Sequence, residues 1–421
     1  MINRASAAGK TGILGDPPAA INVPVSVSVV APVTPAPKDP NGGFNALLIP
    51  AVAHADGIGS RFVSDIRLTN TATQSISYQL TYTPNGTDGT VTGKQITLTV
   101  NAGDTKALND IVKDWYGSGV LGEAPQGSLE IRPLNYAGKD TVSINLATVA
   151  ASRTYSVAAT GTFGQYIPAF PLVNFLSKAS NSKISLQQVS QSSAIGGFRT
   201  NLGFIEGSGQ AVDFVATLLD DAGHTVAERS YSLKPYESQQ QRLDQFFGIS
   251  SITDGRVEVR VTSDTGHVSA YASVLDNTTT DPLLVFPADP ARISAKRFTV
   301  PGVAEFDTSF SNFHTDMRIY NGGSSPVDVT LAFTGASVPN KVKTIAAGET
   351  LAVDNVLPTL WGITGGGAVV ATTAKAPKLV VIAQTFNRHN TNGATFDELI
   401  PWPSAADAVC NGARPPLTGP L

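Results

Sequence analysis

Histidines are the residues here best suited to bind a metal or move a proton, and the five of them are scattered: His54, His224, His267, His314 and His389. A zinc or metalloprotease site needs close pairs such as H-E-x-x-H, and no two histidines stand that way. His224 follows Asp220-Asp221-Ala222-Gly223, a hairpin-turn sequence, and reads as a turn residue. The carboxylates Asp220 and Asp221 share that one tip, whereas glycosidase carboxylates come from separate elements. Gly117-Ser118-Gly119-Val120-Leu121-Gly122 spells G-x-G-x-x-G. A dinucleotide site needs a strand before that motif and a helix after it, so that phosphate meets the helix N-terminus. Here it trails a short helical insert, with Pro125 close behind, and reads as a loop. Gly9-Lys10-Thr11 lacks the earlier glycine of a P-loop. There is no G-x-S-x-G, and the lone thiol, Cys410, sits in a C-terminal tail. Asn85-Gly86-Thr87 and Asn277-Thr278-Thr279 fit the N-glycosylation triplet but read as turns. No catalytic, cofactor-binding or metal-ligating residue is assigned, so the expectation is a protein that is not an enzyme and carries no cofactor.

What remains is architecture, and it repeats. The pattern Phe, any, Ser/Thr, Asp/Asn, apolar, any, apolar occurs at Phe62-Val63-Ser64-Asp65-Ile66-Arg67-Leu68. It returns at Phe198-Arg199-Thr200-Asn201-Leu202-Gly203-Phe204 and at Phe313-His314-Thr315-Asp316-Met317-Arg318-Ile319. In each copy Phe62, Phe198 or Phe313 shares parity with the later apolar residues, which a strand would place on one core-facing side. Alternating segments follow: Ile76, Tyr78, Leu80, Tyr82; then Val212, Phe214, Ala216, Leu218; then Val327, Val329, Leu331, Phe333. Each runs into a Gly-, Asn- or Asp-bearing turn, the signature of a hairpin. Gly103-Asp104-Thr105 matches Gly348-Glu349-Thr350, with Tyr236-Glu237-Ser238 as the looser middle copy. A short helix is expected next, with Asn109 and Asp354 as N-caps. It ends on an aromatic before glycine: Tyr116, Phe247 or Trp361. These rings are read as caps on the cores rather than as sugar-stacking platforms. Each copy returns to alternating strands and closes on apolar-Pro, at Ile167-Pro168, Phe286-Pro287 and Ile400-Pro401. A proline there suits the end of an edge strand.

Many short strands, frequent turns and almost no helix predict an all-β chain: three tandem immunoglobulin-like β-sandwiches with an extended N-terminal tail. The expected boundaries are 43–170, 171–290 and 291–406, flanked by tails 1–42 and 407–421. Within the Ala/Pro-rich first tail, Ile21, Val23, Val25, Val27 and Val29 alternate with polar residues and proline. That is a strand without a repeat of its own, suited to completing the first sandwich of its own chain or to donation to a sheet edge of a neighbouring subunit. The Pro-rich stretch 31–40 would be its spacer.

Composition narrows the partners. Charged residues make up 15% of the 421 and the net charge is −4. An ordinary soluble domain is about 25% charged. With no basic block, nucleic acid and anionic membrane surfaces are poor partners. No apolar run reaches the ~18 residues that span a bilayer. Met1 is not followed by a charged stretch and an apolar run, so no leader peptide is read there. One cysteine cannot make an internal disulfide, though an intermolecular one is open.

Ile49-Pro50-Ala51-Val52-Ala53-His54, the strand 198–204, Ser152-Arg153-Thr154-Tyr155 and Gly161-Thr162-Phe163-Gly164-Gln165-Tyr166-Ile167-Pro168 carry a resemblance. Over about residues 44–403 the chain resembles uncharacterised β-sandwich repeats of large secreted bacterial proteins, some found beside extracellular hydrolases. The resemblance implies an extracellular or cell-surface location and the sandwich fold, and offers no catalytic residue. The middle copy departs most, lacking the Gly-Asp/Glu-Thr turn. Two functions follow as expectations: a structural or adhesive surface protein, self-associating head to tail into a filament or surface layer, or a polysaccharide-binding accessory module of a secreted hydrolase.

Overall fold

The computed structural model describes residues 45–57, 60–119, 124–134, 147–158, 161–309, 311–375, 378–389 and 395–401. The expected donor strand Ile21–Val29 and Cys410 lie outside the described residues. The described chain is all-β, in several antiparallel sheets with a few short helices.

The first segment runs β1 (Leu47–Gly57), β2 (Ser60–Asn70), β3 (Ile76–Pro84), β4 (Lys94–Val100), β5 (Thr105–Leu108), a helical turn at Ile111–Trp115, β6 (Gln126–Pro133), β7 (Thr148–Ala158) and β8 (Gly161–Pro168). A two-residue strand, β9 (Phe170–Pro171), returns to pair with β1. The middle segment runs β10 (Ile184–Gln191), β11 (Phe198–Glu206), β12 (Val212–Leu219), β13 (Thr225–Leu233), β14 (Ser238–Arg242), helix Leu243–Phe247, β15 (Ile252–Val261), β16 (Val268–Asp276) and β17 (Pro282–Val285). The last runs β18 (Arg297–Asp307), β19 (Ser311–Asn321), β20 (Val327–Phe333), β21 (Lys341–Ile345), β22 (Thr350–Val353), helix Val356–Trp361, β23 (Gly365–Thr372), β24 (Leu379–His389) and β25 (Thr395–Pro401).

The pairing order recurs. In the middle segment two separate sheets form, β10-β15-β12-β13 and β14-β11-β16-β17. The first segment repeats these as β1-β6-β3-β4 and β5-β2-β7-β8, and the last as β18-β23-β20-β21 and β22-β19-β24-β25. In these two, β1 and β18 leave one sheet and continue into the other, so the sheets join. The first strand of each segment slips register, at Ile49/Val52, Leu186/Val189 and Val300/Val303, and β10 slips again at Val189/Gln191. One apolar cluster is drawn from both sheets of each segment, built from the alternating residues: Tyr78, Leu80 and Leu129; Phe214, Ala216 and Val257; Val329, Leu331 and Val369.

The repeated hydroxyl stands beside the register slip. One residue past Val52, Val189 and Val303, where pairing shifts, a backbone N–H is met by the repeated hydroxyl. Ser64 Oγ accepts from Ala53 N at 2.8 Å, Thr200 Oγ1 from Ser190 N at 3.1 Å, and Thr315 Oγ1 from Ala304 N at 2.8 Å. The neighbouring acid has its own task. Asp65 and Asp316 accept the N–H of Asp110 and Asn355 at 2.9 and 2.8 Å. Both of those residues are left-handed, with φ of 42° and 47°, and each opens a helical turn. The N-cap positions therefore fall at Asp110 and Asn355, one residue after the caps expected at Asn109 and Asp354, and the acceptor for each comes from a distant strand.

Phe62, Phe198 and Phe313 correct an expectation. All three are half-buried, not interior. They do share the core-facing parity, but they stand at the start of their strands, Phe198 as the first residue of β11 and Phe62 and Phe313 as the third of β2 and β19. Phe198 packs against the rim of its cluster and Phe313 stacks on Phe306 at 4.9 Å. The residues that fill the cores are the later ones, Ile66 and Leu68, Leu202 and Phe204, Met317 and Ile319.

Candidate functional site

The residues singled out for chemistry are spread over the molecule. His54 Nδ1 lies 2.9 Å from both carboxylate oxygens of Asp110, nearly buried. Asp110 stands just before the helical turn Ile111–Trp115, so the pair ties β1 to that turn. His314 Nδ1 meets Glu305 at 2.8 Å, and His224 meets Asp220 on an exposed turn. His267 gives its backbone N–H to Glu206, and His389 falls on β24. Ser118 in the glycine-rich loop is buried against Lys94 Nζ, at 2.6 Å, and Gly119 presses on the His54 backbone. Asn277 donates to the carbonyls of Ser192 and Ala194, which ties down a turn. Tyr116 is buried with its hydroxyl on Leu80 O, Phe247 packs edge-on to Phe246, and Trp361 Nε1 donates to Pro339 O. Among the described residues no three His, Cys, Asp or Glu gather to hold a metal ion, and no helix is long and apolar enough to cross a membrane.

The buried polar chemistry concentrates elsewhere. Eight residues after each repeated Phe stands a polar hub: Asn70, Glu206 and Asn321. Asn70 Nδ2 donates to Gln74 O and Val100 O while its Oδ1 accepts from Ala72 N. Asn321 repeats this with Ser325 O, Ile345 O and Gly323 N. Glu206 accepts instead from the N–H groups of Ser208, Gly209, Tyr236 and His267 and from the Ser208 hydroxyl. Burial pushes its carboxyl up, and those donors oppose the shift. The sequence signal was present but masked, because Asn and Glu do not look like one position.

Two junctions join the segments, and each sets a hairpin turn of one segment on the turn before β14 or β22 of the next. At the first, Gly86 N donates to Ser238 O at 2.7 Å and Gly89 N to Pro235 O at 2.9 Å. A side chain at Gly89 would strike Tyr236, whose hydroxyl burial pushes up to about 12. Ile205, Tyr271 and Leu284, on the outer face of the middle segment, join the first segment's apolar cluster. The Tyr271 ring lies over Gly203, where any side chain would collide with it. A cavity of about 170 Å³ remains here, bordered by Pro50, Phe62 and Tyr271 among others.

At the second junction, Thr350 N donates to Asp221 O at 3.0 Å. Arg256 is buried with its guanidinium 3.9 Å from the centre of the Tyr320 ring. It donates to Thr350 Oγ1 at 2.8 Å and Gly348 O at 3.1 Å. Glu258 accepts from the Tyr320 hydroxyl at 2.8 Å and from Lys183 Nζ at 2.6 Å. Arg318, also buried, binds Asp254 at 2.7 Å and Asp354 at 2.6 Å. Burial alone would lower the Arg318 pKa; the two carboxylates outweigh it and raise it. Burial pushes the Asp316 carboxyl up to about 6, with Asp354 and Asp254 adding to the shift while Asn355 N–H and Arg318 resist it. A cavity of about 380 Å³ borders this junction, lined by Phe170, Phe175, Phe286 and Ile382 with Gln187 and Arg292 at its polar side.

No protein-family profile matches the chain, and no curated protein matches it.

Proposed function

We propose that the chain is an extracellular, non-enzymatic structural or adhesive protein built from three tandem immunoglobulin-like β-sandwich domains, 43–170, 171–290 and 291–406. The observation that supports this most is repetition in series. The same strand order occurs three times, and successive segments meet twice by the same turn-on-turn contact. The buried Arg256 and Arg318, the carboxylates Asp254 and Glu258, and backbone bonds are committed to fixing one segment against the next. That use of polar residues stiffens a rod, as a filament or surface-layer subunit requires. Assembly through the N-terminal strand Ile21, Val23, Val25, Val27 and Val29, donated to a neighbour's sheet edge, is part of the same proposal. Self-association is then the principal interaction.

The test is sedimentation of the purified full chain over a wide concentration range, with negative-stain imaging of the same sample. Concentration-dependent growth into linear assemblies is the expected result. A monomer at every concentration that is retained by insoluble polysaccharide would replace this reading with that of a carbohydrate-binding accessory module.

A further inference from the structure

The two internal junctions define an acceptor surface that occurs three times. It consists of the turn before the fifth strand of a segment and the outer face of the sheet that follows. In the middle segment this surface is Tyr236–Gln239 with Ile205, Tyr271 and Leu284, all covered by the first segment. In the last it is Gly348–Thr350 with Arg318, Tyr320 and Val380, covered by the middle one. Strand register gives the counterparts in the first segment. Tyr166 stands where Leu284 stands, since Asp65 faces Arg153 and Arg153 faces Tyr166 just as Asn201, Ser273 and Leu284 face one another. Val149 stands where Val380 stands, opposite Thr69 and Tyr320 respectively.

Those counterparts are bare. Tyr166 is 61% exposed against 3% for Leu284, and Val149 is 51% exposed against 2% for Val380. Asn101, Ala102, Gly103, Asp104 and Thr105 are exposed as well, whereas Ser238 and Thr350 are buried. At the other end of the molecule the donor turn also lies open. The turns Asn85–Gly89 and Asp220–Gly223 are both docked, but Thr334, Gly335, Ala336, Ser337, Pro339 and Asn340, which follow β20 in the same way, are exposed. This turn carries no charged residue, whereas the docked turns carry Asp88 and Asp220 with Asp221.

We propose that a second copy of the chain sets its turn 334–340 on the turn 101–105 and on the Val149–Tyr166 face, so that the internal junction continues from molecule to molecule. The proposal rests on the reading of the chain as an assembling structural protein, and names the contact. Donor and acceptor are different surfaces, so the contact is heterologous and adds subunits in one direction without closing. The internal junctions show that this backbone geometry is accessible to a turn of variable sequence. Arg67, the counterpart of Arg318, is already held by Asn109 Oδ1 and Ile66 O, so it needs no acid from the incoming turn.

Two experiments on the full chain test it together. In sedimentation, Val149→Asp with Tyr166→Asp should weaken association by at least about tenfold, because charge would be desolvated at the centre of the contact. Both residues are exposed, so the thermal unfolding of the variant should match the parent and show that folding is intact. In a Cys410→Ser background, Thr105→Cys with Ser337→Cys should give on oxidation a ladder of dimers, trimers and larger species, and either cysteine alone should give no ladder. Assembly that persists unchanged in the Val149/Tyr166 variant, with no ladder from the paired cysteines, overturns this contact while leaving the assembling protein to use its N-terminal strand. A chain that stays monomeric up to millimolar concentration overturns both.

Discussion

The first and second junctions place a hairpin turn on the same turn of the following segment, yet they seal the contact with opposite chemistry. The first is apolar: Ile205, Tyr271 and Leu284 complete a neighbour's core, and Gly203 clears room for the Tyr271 ring. The second is ionic: Arg318 at the matching face and Arg256 on the incoming segment are held by Glu258, Asp254 and Asp354 and by the Tyr320 ring. Gly203 and Arg318 occupy the same place in the repeated motif. A backbone-to-backbone contact fixes the geometry, and the side chains above it are free to diverge. What differs is sensitivity to conditions. Apolar burial responds little to salt or pH, while an ion pair with several carboxylates responds to both.

The comparison can be broken most forcefully at the apolar side. Tyr271→Ala removes a buried ring and leaves a void on top of Gly203, which should cost ~3–5 kcal/mol in chemical denaturation. Amide exchange separates the junctions. Gly86 and Gly89 N–H report the first, and Thr350 N–H the second. Exchange should accelerate at Gly86 and Gly89 alone; acceleration at Thr350 to the same degree would mean that the two junctions open as one.

A smaller effect is expected from Arg318→Leu. It leaves Asp254 and Asp354 facing each other without a cation, though both retain some contact with solvent. The loss should be ~2–3 kcal/mol, below the full cost of stripping one partner from a wholly buried pair. Thr350 N–H should exchange faster while Gly86 and Gly89 hold. Raising salt to about 1 M, where screening acts within ~3 Å, should loosen the parent protein at Thr350 in the same selective way. Equal salt sensitivity at Gly86 would remove the distinction between the junctions.

Sequence carried the strands well and the junctions not at all. Alternation at Tyr78, Leu80, Phe214, Ala216, Val329 and Leu331 marks a core face, because a strand's period of two is visible in one dimension. The Ser/Thr of the motif was legible as a position but not as the acceptor for a bulged N–H, since a bulge leaves no mark on residue type. Phe62, Phe198 and Phe313 share the right parity, yet parity says nothing about how near a residue stands to the end of its strand. Asn70, Glu206 and Asn321 were missed because an amide and a carboxylate solve the same wiring problem with different donors. The junctions depend on Gly86 N, Gly89 N and Asp221 O, main-chain atoms that every residue has, and on pairs as distant in sequence as Asp254 with Arg318. The turn at Asp220-Asp221 was read only as a turn; its carbonyl is a docking point.

The smallest expected effect is the sharpest probe of the ionic side, because it has a sign. The Asp316 carboxyl is held at about 6 in the folded chain, against 3.8 for the free group. Its proton is therefore bound more tightly in the folded state, and stability from this group falls as pH rises between those values. The cost is absent below about 3.8 and fully present above about 6. Part of the side chain still reaches solvent, so the effect should be ~1–2 kcal/mol rather than the ~3 that two pKa units represent. Asp316→Asn keeps an oxygen for the Asn355 N–H and removes the charge that crowds Asp254 and Asp354. The variant should be more stable than the parent at pH 7, equal to it near pH 4, and its Thr350 amide should exchange more slowly at neutral pH. If the parent and variant curves run parallel across that range, Asp316 is ionised throughout, and Arg318 balances the junction's carboxylates more completely than their burial implies.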